Sequence, residues 1–231
     1  MGNESEERGT VGAALALEAA LCEPLPLEAG QSVALLGESA LAAQAVHIAG
    51  GVPIVVRPAG TGWAVGGAGG GWRLNGEQPD GLPLASAAVD HIVVPRFDPR
   101  AHLPPAAEMR RVLRPGGWVA VGVRPARSRA GDRASPASVA ACARWLEAGR
   151  FEVLGRYGLV EGATDRSALV PLDHLGAVQF FVERLWVPPS RWPGWARAAV
   201  ARLAAAGRYG WLFKQFVVVG RSEPRRAVGE R

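Results

Sequence analysis

Apolar residues fall into short runs of strand length that alternate with Ala-rich stretches of helical length. Val11 to Cys22 is rich in Ala and Leu and uninterrupted by glycine after Gly12, which predicts a helix that Glu23-Pro24 ends. Ser32 to Leu36 is an apolar run closed by Gly37. Ser39 then caps a helical stretch reaching Gly50-Gly51, and Val52 to Val56 is a second, β-branched strand. Ser32 to Arg57 is therefore a β-α-β unit of nearly the minimum length, so its two strands pair in parallel.

Ala59 to Gly76 has the weakest pattern, with Gly66-Gly67-Ala68-Gly69-Gly70-Gly71 between Trp63 and Trp72. These glycines lack the strand-to-helix frame of a phosphate loop, and the stretch is expected to be a flexible loop. Asp90 to Pro95 predicts a third strand, Pro105 to Leu113 a helix, Arg114-Pro115-Gly116-Gly117 a turn, and Trp118 to Val123 a fourth strand. After an Arg-rich loop, Arg124 to Arg133, Ser135-Pro136 opens a helix that runs to Gly149, and Phe151 to Tyr157 is a fifth strand. Alternation then breaks. Asp173 is expected to cap a helix reaching about Val187, with Ala177, Val178, Phe181 and Leu185 on one face. A second helix follows from Pro193 to Ala206, with Val200 and Leu203 inward, and the last strand is Leu212 to Val219. The tail from Glu223 is polar and reads as frayed.

With 231 residues, 48% hydrophobic and 20% charged, at a mean hydropathy of +0.08, the chain can bury a sizeable core, which excludes disorder as its main state. It has no transmembrane segment of about 18 apolar residues. Its start, Met1 to Glu7, is acidic where a signal peptide would be basic, so the expected location is the cytoplasm. Cys22 and Cys142 are far apart in sequence and read as small core hydrophobes, with no metal site to be argued from spacing. The net charge of +5 hides a polarised chain. Residues 1–99 carry four basic and eleven acidic side chains, and residues 100–231 carry twenty-two and ten. All but one of the basic residues are arginine, a composition of high-GC bacterial type. The basic half could attract nucleic acid, an acidic partner or an anionic membrane surface. No zinc-finger spacing, RNP motif or sustained basic helix accompanies it, so specific nucleic-acid binding is not expected.

Three stretches carry a resemblance. Glu108-Met109-Arg110-Arg111-Val112-Leu113-Arg114-Pro115-Gly116-Gly117-Trp118 is similar to the helix-turn-strand signature of class I S-adenosylmethionine (SAM)-dependent methyltransferases of the small-molecule kind. Leu82-Pro83-Leu84 and Val89-Asp90-His91-Ile92-Val93 resemble that family's approach to its fourth strand. The resemblance implies an α/β fold, a Rossmann-like doubly wound sheet with a helical insertion before the last strand. The whole chain, 1–231, is then one domain, with an N-terminal helix region over 1–29, a core over 30–157 and 211–221, the insertion over 158–210 and a polar tail over 222–231.

The resemblance also implies where SAM would lie, and there the chain departs from the family. The family's glycine-rich first motif falls on Leu35 to Leu41, where Gly37 remains and Leu41 stands at the third glycine site. The acid expected to accept hydrogen bonds from the ribose hydroxyls falls on Arg57, and arginine has no acceptor to offer. The acid expected against adenine falls on Gln78, with Glu77 or Asp80 as near substitutes, and Glu38 could fill in for the missing acid. Leu82 and Pro95 complete the expected cofactor contacts, and His102 is the candidate general base. His91 and His47 read as structural, and His174 as the start of a helix. The insertion holds Trp186, Trp192 and Trp195 interleaved with arginines, a surface suited to a protein partner or to a small-molecule or lipid-linked substrate. The reading is a methyltransferase-family protein with an eroded SAM site, noncatalytic or accessory. Its alternative is an active enzyme on a secondary metabolite or glycan with atypical cofactor contacts.

Overall fold

The computed structural model describes residues 19–37, 39–59, 62–67, 73–75, 81–97, 103–123, 136–161, 167–186, 195–206, 212–213 and 215–223. Of the helix expected over 11–22, residues 19–22 are helical and the rest lies outside the described residues, as do the Arg-rich loop and the tail from Pro224. The elements in chain order are β1 (Ser32–Leu36), α1 (Ala40–Ile48), β2 (Val52–Ala59), β3 (Gly62–Gly67), β4 (Arg73–Asn75), β5 (Val89–Phe97), α2 (Ala106–Val112) and β6 (Leu113–Val123). They continue with α3 (Pro136–Ala148), β7 (Phe151–Glu161), β8 (Ser167–Pro171), α4 (Leu175–Phe180), a π turn (Phe181–Leu185), α5 (Ala196–Ala205) and β9 (Gln215–Ser222).

Among the described residues the strands form one nine-stranded sheet in the order β4-β3-β2-β1-β5-β6-β9-β7-β8. β1 pairs in parallel with β2 and β5, and β5 with β6. β9 runs antiparallel to both β6 and β7, so it is the one reversed strand among β2, β1, β5, β6, β9 and β7. The central strands are apolar at nearly every position because both faces are covered. On one face, Leu21, Cys22 and the α1 residues Ala42, Ala45 and Val46 pack over Val33, Leu35, Val93 and Ala120. On the other, α2, α3 and the insertion pack over Ala34, Leu36, Ile92, Val94 and Val121. Both cysteines are buried, Cys22 in the first of these layers and Cys142 in the second. The period of two sends Leu35 to one layer and Leu36 to the other.

Several expectations are corrected. The Gly-rich stretch expected as a flexible loop contains β3 and β4. β2 and β3 form an antiparallel hairpin in which Val56 faces Val65, Arg57 faces Ala64 and Ala59 faces Gly62. Without it, the outer edge of β2 would be left unpaired. The buried Trp63 joins the core beside Val56. The ladder pairs to β2 and the burial of the Trp63 indole oppose the entropy cost of ordering the glycines.

The apolar run of β7 extends to Glu161 and pairs with β8, a strand that the pattern did not announce. Asp173 does not cap α4. His174 holds the N-cap position without a side-chain bond, and Asp173 Oδ2 instead accepts the N–H of Arg156 at 2.8 Å, closing the end of the β7–β8 pair. The long helix expected to Val187 ends its α geometry at Phe180 and passes through one π turn. The wider turn takes Leu185 out of the inward line, which Phe181 and Val182 fill. In α5 the inward line is Ala196, Val200 and Ala204, and Leu203 faces outward, one residue off that i, i+4, i+8 row. The last strand begins three residues later than expected, and Phe213 precedes it as a fully buried side chain.

Candidate functional site

The sheet order reverses at β1. From β1 the chain moves outward to β2 and the hairpin, then crosses back to β5 on the opposite side, so the crevice beyond the carboxyl ends of β1, β2 and β5 is the topological switch point where doubly wound folds bind ligands. Leu36 lies opposite Val56 and Leu35 opposite Val93, and continuing these registers sets Gly37 level with Arg57 on one side and Pro95 on the other. The Gly37 N–H donates to the carbonyl of Val56 at 2.8 Å, which fixes the first step out of the strand. Gly37 has φ +127°, a conformation that side chains disfavour, and a Cβ added there would meet nothing within 4 Å. Ser39 follows as the cap of α1, its hydroxyl accepting the Ala42 N–H at 3.0 Å.

Three of the expected cofactor residues, Gly37, Arg57 and Pro95, are thus brought together at this edge. Arg57 is half-buried and held in the hairpin ladder opposite Ala64, with β2 running on past it to Ala59. Leu82 lies at the approach to β5, against α2. Its side chain is buried, its N–H donates to Glu108 Oε2 at 3.3 Å, and its carbonyl accepts from Arg111 Nη2 at 3.1 Å, so it has become part of the packing against α2. Glu38, Glu77, Gln78, Asp80 and His102 lie outside the described residues. Among the described residues at the carboxyl ends of β1, β2 and β5 there is no carboxylate. Of the described residues here, Arg57 offers a ribose only donors, and the candidate acceptors Glu38, Glu77 and Asp80 lie outside them. No three His, Cys, Asp or Glu side chains among the described residues come together as a metal site.

The motifs that carry the family resemblance sit mainly at the other end of the sheet. Asp90 Oδ2 accepts the Ser32 N–H at 2.9 Å and the Ser32 hydroxyl at 2.8 Å, and its other oxygen pairs with Arg114. Burial works against the ionised Asp90, but the two Ser32 hydrogen bonds and Arg114 outweigh it and hold the carboxyl below the usual aspartate range. The stretch Arg114 to Gly117, expected as a turn, is instead the start of β6, fastened to β9 where the Ser222 hydroxyl donates to the Arg114 carbonyl at 3.2 Å and Arg221 Nε to that of Gly116 at 3.4 Å.

His91 is buried beside Asp90, with Nε2 2.8 Å from Gln31 Oε1. That oxygen also accepts the Glu28 N–H at 2.9 Å, so it is an acceptor, Nε2 carries the proton and Nδ1 is bare. Burial lowers the His91 pKa below 6.5, partly opposed by Asp90 and Glu28. His91 is structural, as expected. His47 lies on α1 but is exposed.

In the insertion, Trp195 is exposed at the start of α5, and Trp186 is half-buried against the core. Trp192 lies outside the described residues. The sequence did not single out Phe180, which faces solvent one helical turn before Arg184. The spacing of four between an aromatic and an arginine was the available signal.

No family model matches this chain, and no curated protein matches it. Among solved structures it is similar to a SAM-dependent methyltransferase from Archaeoglobus fulgidus, at 10% identity over 89% of this chain and 93% of that one, with a TM-score of 0.48. It is similar at 14% identity, over 95% of both chains and with a TM-score of 0.47, to a chain from the complex between the Haloferax volcanii Trm112 methyltransferase activator and a methyltransferase. A Thermotoga maritima SAM-dependent methyltransferase is similar at 12% identity over 96% of both chains, with a TM-score of 0.44. It is the strand order, with β9 alone reversed between β6 and β7, that makes the fold of the class I methyltransferase type.

Proposed function

We propose that this chain is a cytoplasmic, methyltransferase-fold protein with an eroded SAM site, a noncatalytic or accessory homologue that works through its Trp/Arg-rich insertion. Arg57 carries the reading. It stands level with Gly37 near the end of β2, opposite Ala64 in the β2–β3 ladder, and offers donors alone where the resemblance expects a ribose acceptor. The contrast between the two ends of the sheet supports it. Residues that hold the fold, Asp90, Glu108, Arg111 and Arg114, follow the family pattern, and those that would hold the cofactor do not. Each lost hydrogen bond to a charged acceptor is worth about 1.5–3 kcal/mol, and each 1.4 kcal/mol is about tenfold in affinity, so two such losses weaken binding by orders of magnitude.

Calorimetric titration with S-adenosylhomocysteine and SAM, carried to millimolar ligand, tests this. No heat from the folded protein is expected, and a micromolar dissociation constant would overturn the erosion. The second reading, an active methyltransferase acting on an oxygen or nitrogen of a secondary metabolite or glycan, draws on the open space at Gly37, where among the described residues nothing lies within 4 Å of an added Cβ. It requires Glu38 or Glu77 to replace the missing acid, and a micromolar constant that is lost in Glu38→Gln or Glu77→Gln would favour it.

A further inference from the structure

The insertion helices bury one side and leave the other without cover. Val178, Phe181 and Val182 from α4 and the π turn, with Val200 and Ala204 from α5, all enter the same core layer, so the opposite sides of both helices face away from the sheet together. Those sides carry large apolar groups in solvent, with Phe180 58%, Leu185 59%, Trp195 70% and Leu203 40% exposed. Lone exposed hydrophobes need no explanation, but four on one two-helix surface do.

Charge selects the occupant. Residues 174–210 hold five arginines, Arg184, Arg191, Arg197, Arg202 and Arg208, against one acid, Glu183. Arg184 and Arg202 are exposed, each next in sequence to an exposed leucine, Leu185 and Leu203, so guanidinium and large apolar groups are interleaved on these elements. A protein interface collects its apolar anchors in a centre depleted of charge and keeps its charges at a rim. Interleaving of the two instead suits a bilayer surface, where aromatic and leucine side chains reach the acyl boundary while arginines near them meet lipid phosphates. No helix among the described residues is long and apolar enough to cross a membrane, and docking of this kind needs none.

We infer that the outward sides of α4, the π turn and α5 form a docking surface for anionic phospholipid. The inference rests on the reading of the insertion as the working surface, and names what it meets. It stands apart from the SAM titration, because that experiment reads ligand binding at the crevice beyond β1 and this one reads vesicle binding by the exposed residues of the insertion helices.

The test is sedimentation of the full chain with phosphatidylcholine vesicles, with and without phosphatidylserine. Binding to the mixed vesicles is expected, weak or absent binding to phosphatidylcholine alone, and a steep fall with added sodium chloride. Phe180→Ser/Trp195→Ser and Arg184→Gln/Arg202→Gln change only exposed positions, and each pair is expected to lower the partition coefficient about tenfold or more while leaving the circular dichroism unchanged. Absence of binding to the anionic vesicles would overturn the inference. So would equal binding by the double variants, which would locate the attraction in the net charge of the chain, and so would equal binding to both vesicle types.

Discussion

Arg111 reaches from α2 to the carbonyl of Leu84 at 2.9 Å, while its Nη2 takes the carbonyl of Leu82 at 3.1 Å and its Nε sits on the Glu108 carboxylate at 3.0 Å. One guanidinium thus fastens the approach to β5 onto the helix that follows it. Arg111→Ala is expected to lower the unfolding free energy by about 1–3 kcal/mol, read as a lower urea midpoint at unchanged slope. The range is kept low because Arg111 and Glu108 are partly in solvent. Arg111→Lys should recover less than half, since a single ammonium cannot span both carbonyls and the carboxylate.

His91 makes stability depend on pH. Its pKa lies below the ordinary histidine value in the folded chain, so the unfolded chain binds the proton more readily. The His91 contribution is therefore complete above about pH 6.5 and is lost as pH falls below that value toward the folded pKa. Asp90, also lowered, adds stability that is present above its ordinary pKa of 3.8 and lost in stronger acid. Melting temperature should fall between pH 7 and pH 5, and in His91→Gln that part of the fall should flatten. An unchanged profile would contradict the buried, singly protonated His91.

Gly158 joins the insertion to the last strand. A Cβ added there would lie 2.4 Å from the Phe213 ring, which is fully buried between Phe181, centroids 5.8 Å apart, and Phe216, at 6.0 Å. The ring has no free side to move into, so Gly158→Ala is expected to cost about 1–3 kcal/mol by overpacking. Gly176→Ala, in open space on α4, should cost nothing or stabilise the helix slightly. Thermal unfolding of the two variants side by side separates a packing effect from a general intolerance of glycine replacement.

Much of the core was legible from pattern alone. The runs Ser32 to Leu36, Val52 to Val56 and Trp118 to Val123 announce strands, and Ser39 announces the start of α1, because strand pattern and capping are set within a few residues of sequence. The hairpin after β2 was not legible. Its partners are joined across a glycine-rich stretch whose local preference is for no structure, and only the free edge of β2 and the space that takes Trp63 give it a reason to order. β8 was hidden likewise, since it exists as the partner of an extended β7. Local period also failed in the insertion, where one π turn rotated Leu185 out of the core and left it beside the exposed Phe180.

The candidate site divides the same way. By itself the sequence determined the chemistry available, an arginine where the family resemblance leads one to expect an acceptor and a glycine after β1, because residue type fixes what can donate and accept. The tertiary structure alone decided the geometry. It set Gly37, Arg57 and Pro95 level at the switch point, held Arg57 opposite Ala64, and buried Leu82 while Glu108 and Arg111 bond its backbone. Those outcomes depend on strand register and on which surfaces pack together, and both are settled between residues tens of positions apart, where no local pattern reaches.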